Sequence, residues 1–392
     1  MHIASPQRLI WASVCGVILA LVLGAQALSS VSTKAAPDLA VSLFPANGEA
    51  REELAFKVFA GGVEQPEDAP EAAQAASDLA RMAAKSDPLN PKAYAILAIA
   101  QSDEAQQRRI VEAATRINRR DLSVQGLALQ HHLAESDYRK TIDTLDQILR
   151  VHPKYSAEFF PVLTQALSEE ETIPEFARML DGSSPWHGRF LTHAVTQQEA
   201  LPNLALLRQQ ITVDDERFDR SLIVGLTRIG DVDLAEAVFR HVTGVTDSLS
   251  STGVIDWAAA YPPFEWQLVD QPGFRAQPSQ DGKQLEISIR PGKGGLIAGR
   301  LMRAPTAPFM IRITHRIAPS EQLRDVRIQL TCAGQTTAFY DERLNRADNG
   351  LRVDALPADC DHFILGINAR AWSGRSALGG TIDTIEIAPM AN

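Results

Sequence analysis

The sequence predicts a multidomain α plus β protein with an N-terminal membrane helix, an array of α-helices and a C-terminal antiparallel β-sandwich. Three observations predict this. An apolar stretch lies near the N-terminus, a long region with apolar residues at helical spacing follows, and the last third alternates apolar and polar residues with a period of two. We place the boundaries at 1–30 for the apolar segment, 31–49 for a linker, 50–245 for the helical region and 253–392 for the sandwich.

The charge composition separates the helical region from the sandwich. The chain has 392 residues and a formal net charge of -10, which argues against a nucleic-acid-binding protein, because phosphate binding requires clustered Lys and Arg. From Ser250 onward there are 15 basic and 15 acidic residues, so 23 basic and 33 acidic residues precede it. The whole acidic excess therefore lies before the predicted sandwich, which indicates two differently built regions.

The N-terminal apolar segment predicts export. Leu9 to Leu28 is free of charge for 20 residues, which as a helix would cross the hydrocarbon core of about 30 Å. Arg8 precedes it, and positive charge tends to stay on the inner side. Ala25-Gln26-Ala27 also fits a signal-peptidase site. The segment is therefore either a transmembrane anchor or a cleaved signal peptide, and the rest is exported in both cases.

Cysteine usage is consistent with export. Apart from Cys15, the chain has Cys332 and Cys360, both in the predicted sandwich. A pair of cysteines in an oxidising compartment is a disulfide candidate, and two buried free thiols are the alternative. A zinc site is not expected, since two Cys without a nearby pair of His do not complete a tetrahedral shell.

The helical region contains a segment that resembles a tetratricopeptide repeat (TPR). Ser136 to Pro153 is similar to the second helix of that repeat, and Leu122 to Leu133 would be the preceding helix. The residues that carry the resemblance are Asp137-Tyr138 at the turn, Thr141, Leu145 and Ile148 at packing positions, and Pro153 at the end.

Spacing along the chain supports a repeated unit. Asp87-Pro88 precedes His152-Pro153 by 65 residues, close to two repeat lengths of about 34 residues. Phe218 to Phe239 carries similar residues in the same order, whereas Ser156 to Thr212 is helical in pattern but degenerate in motif. The resemblance implies a TPR-like α-solenoid whose concave surface binds protein partners. The alternative is a helical spacer that holds the last domain away from the membrane.

The region from Tyr261 onward predicts short strands. Alternating segments are separated by turn residues and show no helical interruption, which favours an antiparallel sandwich of jelly-roll type. The predicted strands are Phe264–Asp270, Lys283–Arg290, Leu296–Arg303, Phe309–Ile317, Asp325–Cys332, Thr336–Leu344, Gly350–Leu356, His362–Arg370 and Thr381–Ile387.

Two further resemblances suggest a role. The closing segment, GGTIDTIEI, is similar to the last strand of carbohydrate-binding jelly rolls. Helical repeats joined to a sandwich that starts with PPFEW resemble membrane-anchored bacterial TPR proteins associated with exopolysaccharide production. The resemblance implies a periplasmic accessory role in polysaccharide assembly or export, with the chain anchored once in the inner membrane, or released into the periplasm if the segment is cleaved.

Aromatic and polar residues of the sandwich are the candidate sugar contacts. Sugar rings present flat C–H faces that pack on aromatic rings, and their hydroxyl groups require polar partners. Trp372 in the loop ARAWSGR is equally consistent with a loop residue that caps the sandwich, whereas Trp266 alternates in phase with core residues. The glycan-binding candidates are Trp372, Tyr340, Asp341, Asn368 and Arg370.

Recognisable catalytic signatures are absent from the sequence. No G-x-S-x-G, H-E-x-x-H, Walker A or dinucleotide-binding pattern occurs, and the scattered His residues do not have metal-ligand spacing. We therefore expect no catalytic group, metal or cofactor. The hypothesis is a non-catalytic periplasmic scaffold with protein partners and a polysaccharide as candidate ligand. The alternatives are a purely protein-binding envelope scaffold and a carbohydrate-active enzyme.

Overall fold

The computed structural model describes residues 6–245, 252–345 and 348–390. In these residues an N-terminal helical region precedes antiparallel strands, which confirms the predicted α plus β fold class. Contacts divide the chain into two compact units, Met1–Phe159 and Phe160–Asn392. The second unit contains both the last helices and the strands. The domain boundaries expected from the sequence stay predictions.

The first unit is formed by consecutive helices that pack in sequence order from α2 to α8. Asp103, Asp121 and Asp137 cap α6, α7 and α8, since each side chain accepts hydrogen bonds from backbone N–H groups of the first turn. The helices are α1 (Pro6–Ser32), α2 (Pro37–Leu43), α3 (Gly48–Gly61), α4 (Ala69–Ser86), α5 (Pro91–Ile99), α6 (Glu104–Ile117), α7 (Leu122–Ala134) and α8 (Tyr138–Val151).

Helix α1 combines an apolar segment with a hydrogen-bonded end. Ile10–Ser32 is long and apolar enough to cross a membrane, and a signal sequence would satisfy the same test. The buried Ser29 hydroxyl donates to the Ala40 carbonyl at 2.7 Å and accepts from the Asn47 amide at 2.8 Å. The end of α1 is therefore tied to α2, which lies in the stretch 31–49 that the sequence suggests is a linker.

Small side chains form the core between α3, α4 and α5. The buried residues of this cluster are Ala55, Ala73, Ala76, Ala80, Ala83, Ala93 and Ile96. Alanine has no side-chain conformational freedom to lose and allows helix axes to approach closely. This explains why the Ala-rich segment from Pro70 to Lys85 forms a packed helix.

In the described residues, six further helices lie between α8 and the first strand. Helix α9 (Ser156–Leu167) crosses the division between units, and α10 (Ile173–Met179), α11 (Pro185–Ala194), α12 (Leu201–Arg208), α13 (Glu216–Ile229) and α14 (Val232–Thr243) follow it. Aromatic rings fill the space between α9, α10 and α11. Phe190 stacks on Phe176 with ring centroids 5.8 Å apart and contacts Phe160 edge-on at 5.7 Å.

A buried ion pair fixes the connection between α12 and α13. Arg208 Nε donates to Asp219 Oδ1 at 2.6 Å, and Nη2 donates to Oδ2 at 3.1 Å. The guanidinium also donates to the carbonyl of Ile211 at 3.0 Å. Both side chains are less than a tenth exposed, so each charge depends on the other for compensation.

The strands form two antiparallel sheets. They are β1 (Gly253–Val254), β2 (Gln267–Leu268), β3 (Asp270–Gln271), β4 (Phe274–Pro278), β5 (Leu285–Ile289), β6 (Gly294–Arg303), β7 (Phe309–Ala318), β8 (Val326–Cys332), β9 (Tyr340–Arg343), β10 (Asp348–Val353), β11 (His362–Arg370) and β12 (Leu378–Pro389). The first sheet has the order β10-β7-β12-β5-β4-β3, with β1 paired to β12. The second has the order β2-β6-β11-β8-β9.

One hydrophobic core lies between the two sheets and makes them a β-sandwich. Phe309 of the first sheet stacks on Phe363 of the second, with ring centroids 6.3 Å apart. Trp266 is buried against Trp257 and donates from its indole N–H to the Asp256 carbonyl at 2.6 Å. The two-residue period of the sequence fits strands that bury one face in this core. The burial of Trp266 fits its interpretation as a core residue.

The predicted disulfide is confirmed. Cys332 ends β8, and its bond to Cys360 links it to the residues just before β11, with the two Cα atoms 5.5 Å apart. Strands β8 and β11 are paired neighbours in the second sheet. The disulfide therefore links two strands that already share backbone hydrogen bonds, at one end of their pairing. A disulfide indicates an oxidising compartment.

Helix α14 packs against the sandwich through a buried carboxylate. Glu236 Oε2 accepts from Arg303 Nη2 at 2.9 Å and lies 3.4 Å from His362 Nε2. Phe239, one turn further along, packs on Phe264 with ring centroids 5.3 Å apart. Burial of the carboxyl group opposes its ionisation, but the hydrogen bonds from Arg303 and His362 outweigh this and lower the pKa of Glu236.

The ion pair between Arg208 and Asp219 predicts a large effect of removing one partner. Asp219→Ala should lower the free energy of unfolding by about 3–5 kcal/mol, because Arg208 would stay buried without a counter-charge. Urea titration followed by circular dichroism measures the change. Asp78→Ala is the control, since its pair with Arg81 is largely exposed and its loss should leave the midpoint unchanged. Similar midpoints for both variants would contradict the assigned role.

The pKa of Glu236 predicts acid sensitivity of the second unit. Its folded-state pKa lies below the ordinary value of 4.5, so the stabilisation is present above that pH and is lost as the pH falls through the folded-state value. Glu236→Gln should therefore be less stable than the unmodified protein at neutral pH, with a difference that shrinks in acid. Thermal unfolding across a pH series measures this, with the exposed Glu199→Gln as control. A constant difference at all pH values would disprove the linkage.

Candidate functional site

Three neighbouring strands present polar side chains on the face of the second sheet that points away from the core. Strand alternation turns Val326, Ile328 and Leu330 of β8 inward. The residues between them face outward. The register places Arg327 directly opposite Asn368 of β11 on one side and Arg343 of β9 on the other. These three side chains form a first row across the sheet.

A second row lies two residues along and is joined to the first by hydrogen bonds. Gln329 is opposite Asp341 and donates to its Oδ2 at 3.0 Å. The Asn368 amide donates to Gln329 Oε1 at 2.6 Å, and Arg327 Nε donates to Asp341 Oδ1 at 2.6 Å. The four side chains therefore form one chain of hydrogen bonds across β11, β8 and β9, which holds each of them in a fixed orientation.

The arginine in this chain keeps the carboxyl group ionised. The hydrogen bond from Arg327 lowers the pKa of Asp341 more than partial burial raises it, and the hydrogen bond from Gln329 lowers it further. Asp341 is consequently a hydrogen-bond acceptor with a fixed negative charge at neutral pH. The positive charges of Arg327 and Arg343 both favour the ionised form of Asp341 and lower its pKa.

Trp372 lies in the loop that follows β11, two residues beyond Arg370. Its ring is half exposed, and the guanidinium carbon of Arg370 lies 4.8 Å from the ring centroid. A Cβ atom at Gly294, which pairs with Arg370, would approach the Arg370 Cβ to 2.7 Å. Glycine at this position therefore allows Arg370 to lie over the neighbouring strand.

A buried glutamine connects this loop to the 3-10 helix Ser320–Asp325. The Gln322 amide donates to the Ser376 carbonyl at 3.0 Å and contacts the Ser376 hydroxyl at 3.3 Å. Gln322 Oε1 is buried and has no hydrogen-bond partner among the described residues. Gln322 thus joins the two loops that border the outward face of the sheet.

These elements enclose a cleft of about 720 Å³, which we call the arginine cleft. Its floor is the outward face of β8, β9 and β11, and its rim is formed by the two loops joined by Gln322. The charged and aromatic residues that define it are Arg324, Arg327, Arg343, Arg370, Arg375 and Trp372. Two acidic residues, Glu321 and Asp325, also line it. Such a surface can place a flat ring on Trp372 and offer several hydrogen-bond donors beside it.

The structure brings most of the predicted glycan-binding residues together. Asn368, Arg370 and Trp372 line the arginine cleft, and Asp341 is hydrogen-bonded to two of its lining side chains. Tyr340 lies on the opposite face of the same strand, where it pairs with Leu330 and packs against the core. Burial raises the pKa of the Tyr340 hydroxyl to about 12.

Sequence reasoning missed the arginines contributed by β8, β9 and the adjoining loops. Arg327 and Gln329 alternate with apolar residues in DVRIQLTC, so the pattern identifies them as outward-facing. It does not identify the neighbouring strands, because the order β11-β8-β9 depends on tertiary pairing. Arg324 and Arg375 come from separate loops and have no common sequence signal.

A cluster of possible metal ligands lies between α14 and the sandwich. The ligand atoms of Asp233, Glu236 and His362 lie within 4.8 Å of one another. Arg303 occupies the position between the carboxylates, with Nη2 2.9 Å from Glu236 and 3.5 Å from Asp233. Because this guanidinium already supplies the compensating positive charge, the cluster is a polar contact between helix and sheet.

Comparisons with known proteins leave the function open. No protein-family model matches the chain, and a search of curated proteins gives no match. One matching solved structure is described as the crystal structure of accessory secretory protein 1,2 and 3 in Streptococcus pneumoniae, with 9% identity and a TM-score of 0.25. The match covers 38% of this chain and 99% of that one. A TM-score this low supports no conclusion about fold or function.

The exposure of Trp372 predicts that it is dispensable for stability. Trp372→Ala should change the free energy of unfolding by less than about 1 kcal/mol, since it removes a half-exposed ring and one exposed cation–π contact. Trp266→Ala should cost about 3–5 kcal/mol, because that ring fills the core. Urea titration of both variants measures the two changes. Comparable losses would show that Trp372 is a structural cap.

Proposed function

We propose that this protein is a non-catalytic scaffold of the bacterial cell envelope whose sandwich binds glycan at the arginine cleft. The observation that carries the proposal is a half-exposed Trp372 beside a row of oriented polar side chains on one sheet face. An exposed aromatic ring provides the flat apolar surface that a sugar ring requires. Amide and guanidinium groups held in place beside it bind hydroxyl groups without a large loss of side-chain entropy.

The helical region is the proposed binding element for protein partners. An apolar groove of about 270 Å³ lies between α3, α5 and α7. Its lining includes Phe56, Phe59, Ile99 and Leu127, with little polar surface. An apolar groove between helices suits an apolar segment of another protein. This supports the TPR-like interpretation of the array.

The N-terminal helix is proposed to anchor the chain in the inner membrane, with the remainder in the periplasm. Ala25-Gln26-Ala27 lies within α1, and the next turn is hydrogen-bonded to α2 through Ser29. An apolar helix that continues into a hydrogen-bonded folded region fits an anchor better than a detachable leader. The disulfide supports the same placement, since it requires an oxidising compartment.

A role in exopolysaccharide assembly or export unites these features. A membrane helix, a helical array and a glycan-binding sandwich in one chain would hold a growing polymer near protein partners at the membrane. The resemblance to bacterial TPR proteins of exopolysaccharide production supports this role, and the arginine cleft supports the polysaccharide part of it. The alternative is a scaffold whose sandwich contacts protein instead of sugar.

Retention in native gels that contain a panel of acidic and neutral bacterial polysaccharides, one polymer in each gel, tests the proposal. The full chain in detergent should migrate more slowly in gels with a bound polymer, and Trp372→Ala should abolish most of this retardation because the stacking surface is removed. Tyr138→Ala, which removes another exposed ring on α8, is the matched control and should behave like the unmodified protein.

Two outcomes would contradict the proposal. A folded protein that no polysaccharide in the panel retards would support the purely protein-binding scaffold. Retardation that is unaffected by Trp372→Ala would move the glycan site away from the arginine cleft. Circular dichroism of each variant verifies that the fold is intact before the gels are interpreted.

A further inference from the structure

The first row across the sheet contains an electrostatic conflict. Arg327 and Arg343 are directly opposite each other on neighbouring strands, where side chains are in closest contact. Like charges in this arrangement destabilise a sheet. Asp341 forms an ion pair with Arg327, and its two carboxylate oxygens are engaged by Arg327 and Gln329. One carboxylate therefore serves two adjacent arginines, and the positive charge of Arg343 is incompletely compensated.

The rim of the arginine cleft adds further positive charge. Arg327 forms an ion pair with a carboxylate, that of Asp341. In the described part of the chain no such ion pair is found for the other cleft arginines, which are Arg324, Arg343, Arg370 and Arg375. Glu321 and Asp325 are too few to neutralise them. The region from Ser250 onward carries 15 basic and 15 acidic residues, so the cleft is a local basic surface on a domain without net charge.

We propose that the arginine cleft selects acidic polysaccharides, whose carboxylates bind Arg343 and Arg370 while a sugar ring packs on Trp372. This inference rests on the proposed glycan-binding function and names the class of glycan. Guanidinium groups bind carboxylates with paired, charge-assisted hydrogen bonds, which makes arginine well suited to uronate sugars. An anion at this position also relieves the repulsion between Arg327 and Arg343.

The polar chain beside the arginines favours a sugar over a generic polyanion. Asn368 and Gln329 are neutral amides that are hydrogen-bonded to each other and held on the cleft floor. Their remaining donor and acceptor positions suit hydroxyl groups, which both donate and accept hydrogen bonds. An acidic peptide or a phospholipid surface would use the charges and leave the amides and the Trp372 ring without a matching group.

The two ends of β6 and β11 have different roles in this arrangement. Arg303 and His362 are paired at one end of these strands, where they contact Glu236 of α14. Gly294 and Arg370 are paired at the other end, beside Trp372. The contact with α14 therefore leaves the cleft end of both strands available to a polymer.

Binding of the full chain in detergent to two matched polymers tests the selection. The probes are polygalacturonate and the same polymer after chemical reduction of its carboxyl groups. We expect polygalacturonate to bind at least about tenfold more tightly, and we expect added salt to weaken this binding by screening the charges. Arg343→Gln and Arg370→Gln should each weaken polygalacturonate binding by about tenfold and weaken binding of the reduced polymer by a clearly smaller factor, since only the charged polymer loses an ion pair.

Arg352→Gln is the matched control, because Arg352 lies on β10 of the other sheet and pairs with Asp354. It should bind polygalacturonate like the unmodified protein. Equal affinity for both polymers would overturn the acidic selection and leave the glycan-binding function standing. Binding of neither polymer by the folded protein would overturn the selection, and the polysaccharide panel described above then decides the glycan-binding function. Poly-glutamate binding as tight as that of polygalacturonate would overturn the sugar-specific part and indicate an acidic protein ligand.

Discussion

The hydrophobic core between the two sheets determines which side chains of the sandwich face outward. Because the core takes one side of each strand, alternate residues are forced outward, and this places Arg327 and Gln329 on the same surface as Asn368. A shift of one residue in β8 would bury these polar side chains and expose Ile328 and Leu330, at a cost that fixes the register. The hydrogen-bonded chain on the outward face is therefore a consequence of burial on the inward face.

The same pair of strands connects the helices to the proposed binding surface. Strands β6 and β11 carry Arg303 and His362 at one end and Gly294 and Arg370 at the other. The first end is held by the buried Glu236 carboxylate, and the second is bordered by loops that Gln322 joins. Burying a carboxylate is unfavourable without compensation, so the helix contact forms only with this partner geometry. The helix contact and the cleft consequently depend on the same strand pairing.

Sequence periodicity predicted the fold class because strand alternation and helical spacing are local properties. The disulfide is predicted from cysteine content, because two cysteines in the sandwich of an exported chain are a disulfide candidate. The sequence groups Tyr340 and Asp341 as sugar contacts, but adjacent residues of a strand face opposite sides, and the structure places Tyr340 against the core. Strand β4 was missed because FRAQP is short and ends in Pro278, which weakens the pattern. Predicting that the cleft arginines form one site requires the order of the strands in the sheet, and local sequence patterns do not contain that order.

The distribution of charge along the chain adds a reason why an acidic polymer would bind at the arginine cleft. The acidic excess that gives the chain its net charge of -10 lies before Ser250, and that region repels a polyanion. The sandwich from Ser250 onward carries as many basic as acidic residues, so the arginines concentrated at the cleft are its attractive part for a polyanion. Selectivity then arises from repulsion by the acidic region as well as from attraction by the cleft arginines. A neutral polymer would experience neither effect and would depend on stacking against Trp372 and on hydrogen bonds to Asn368 and Gln329.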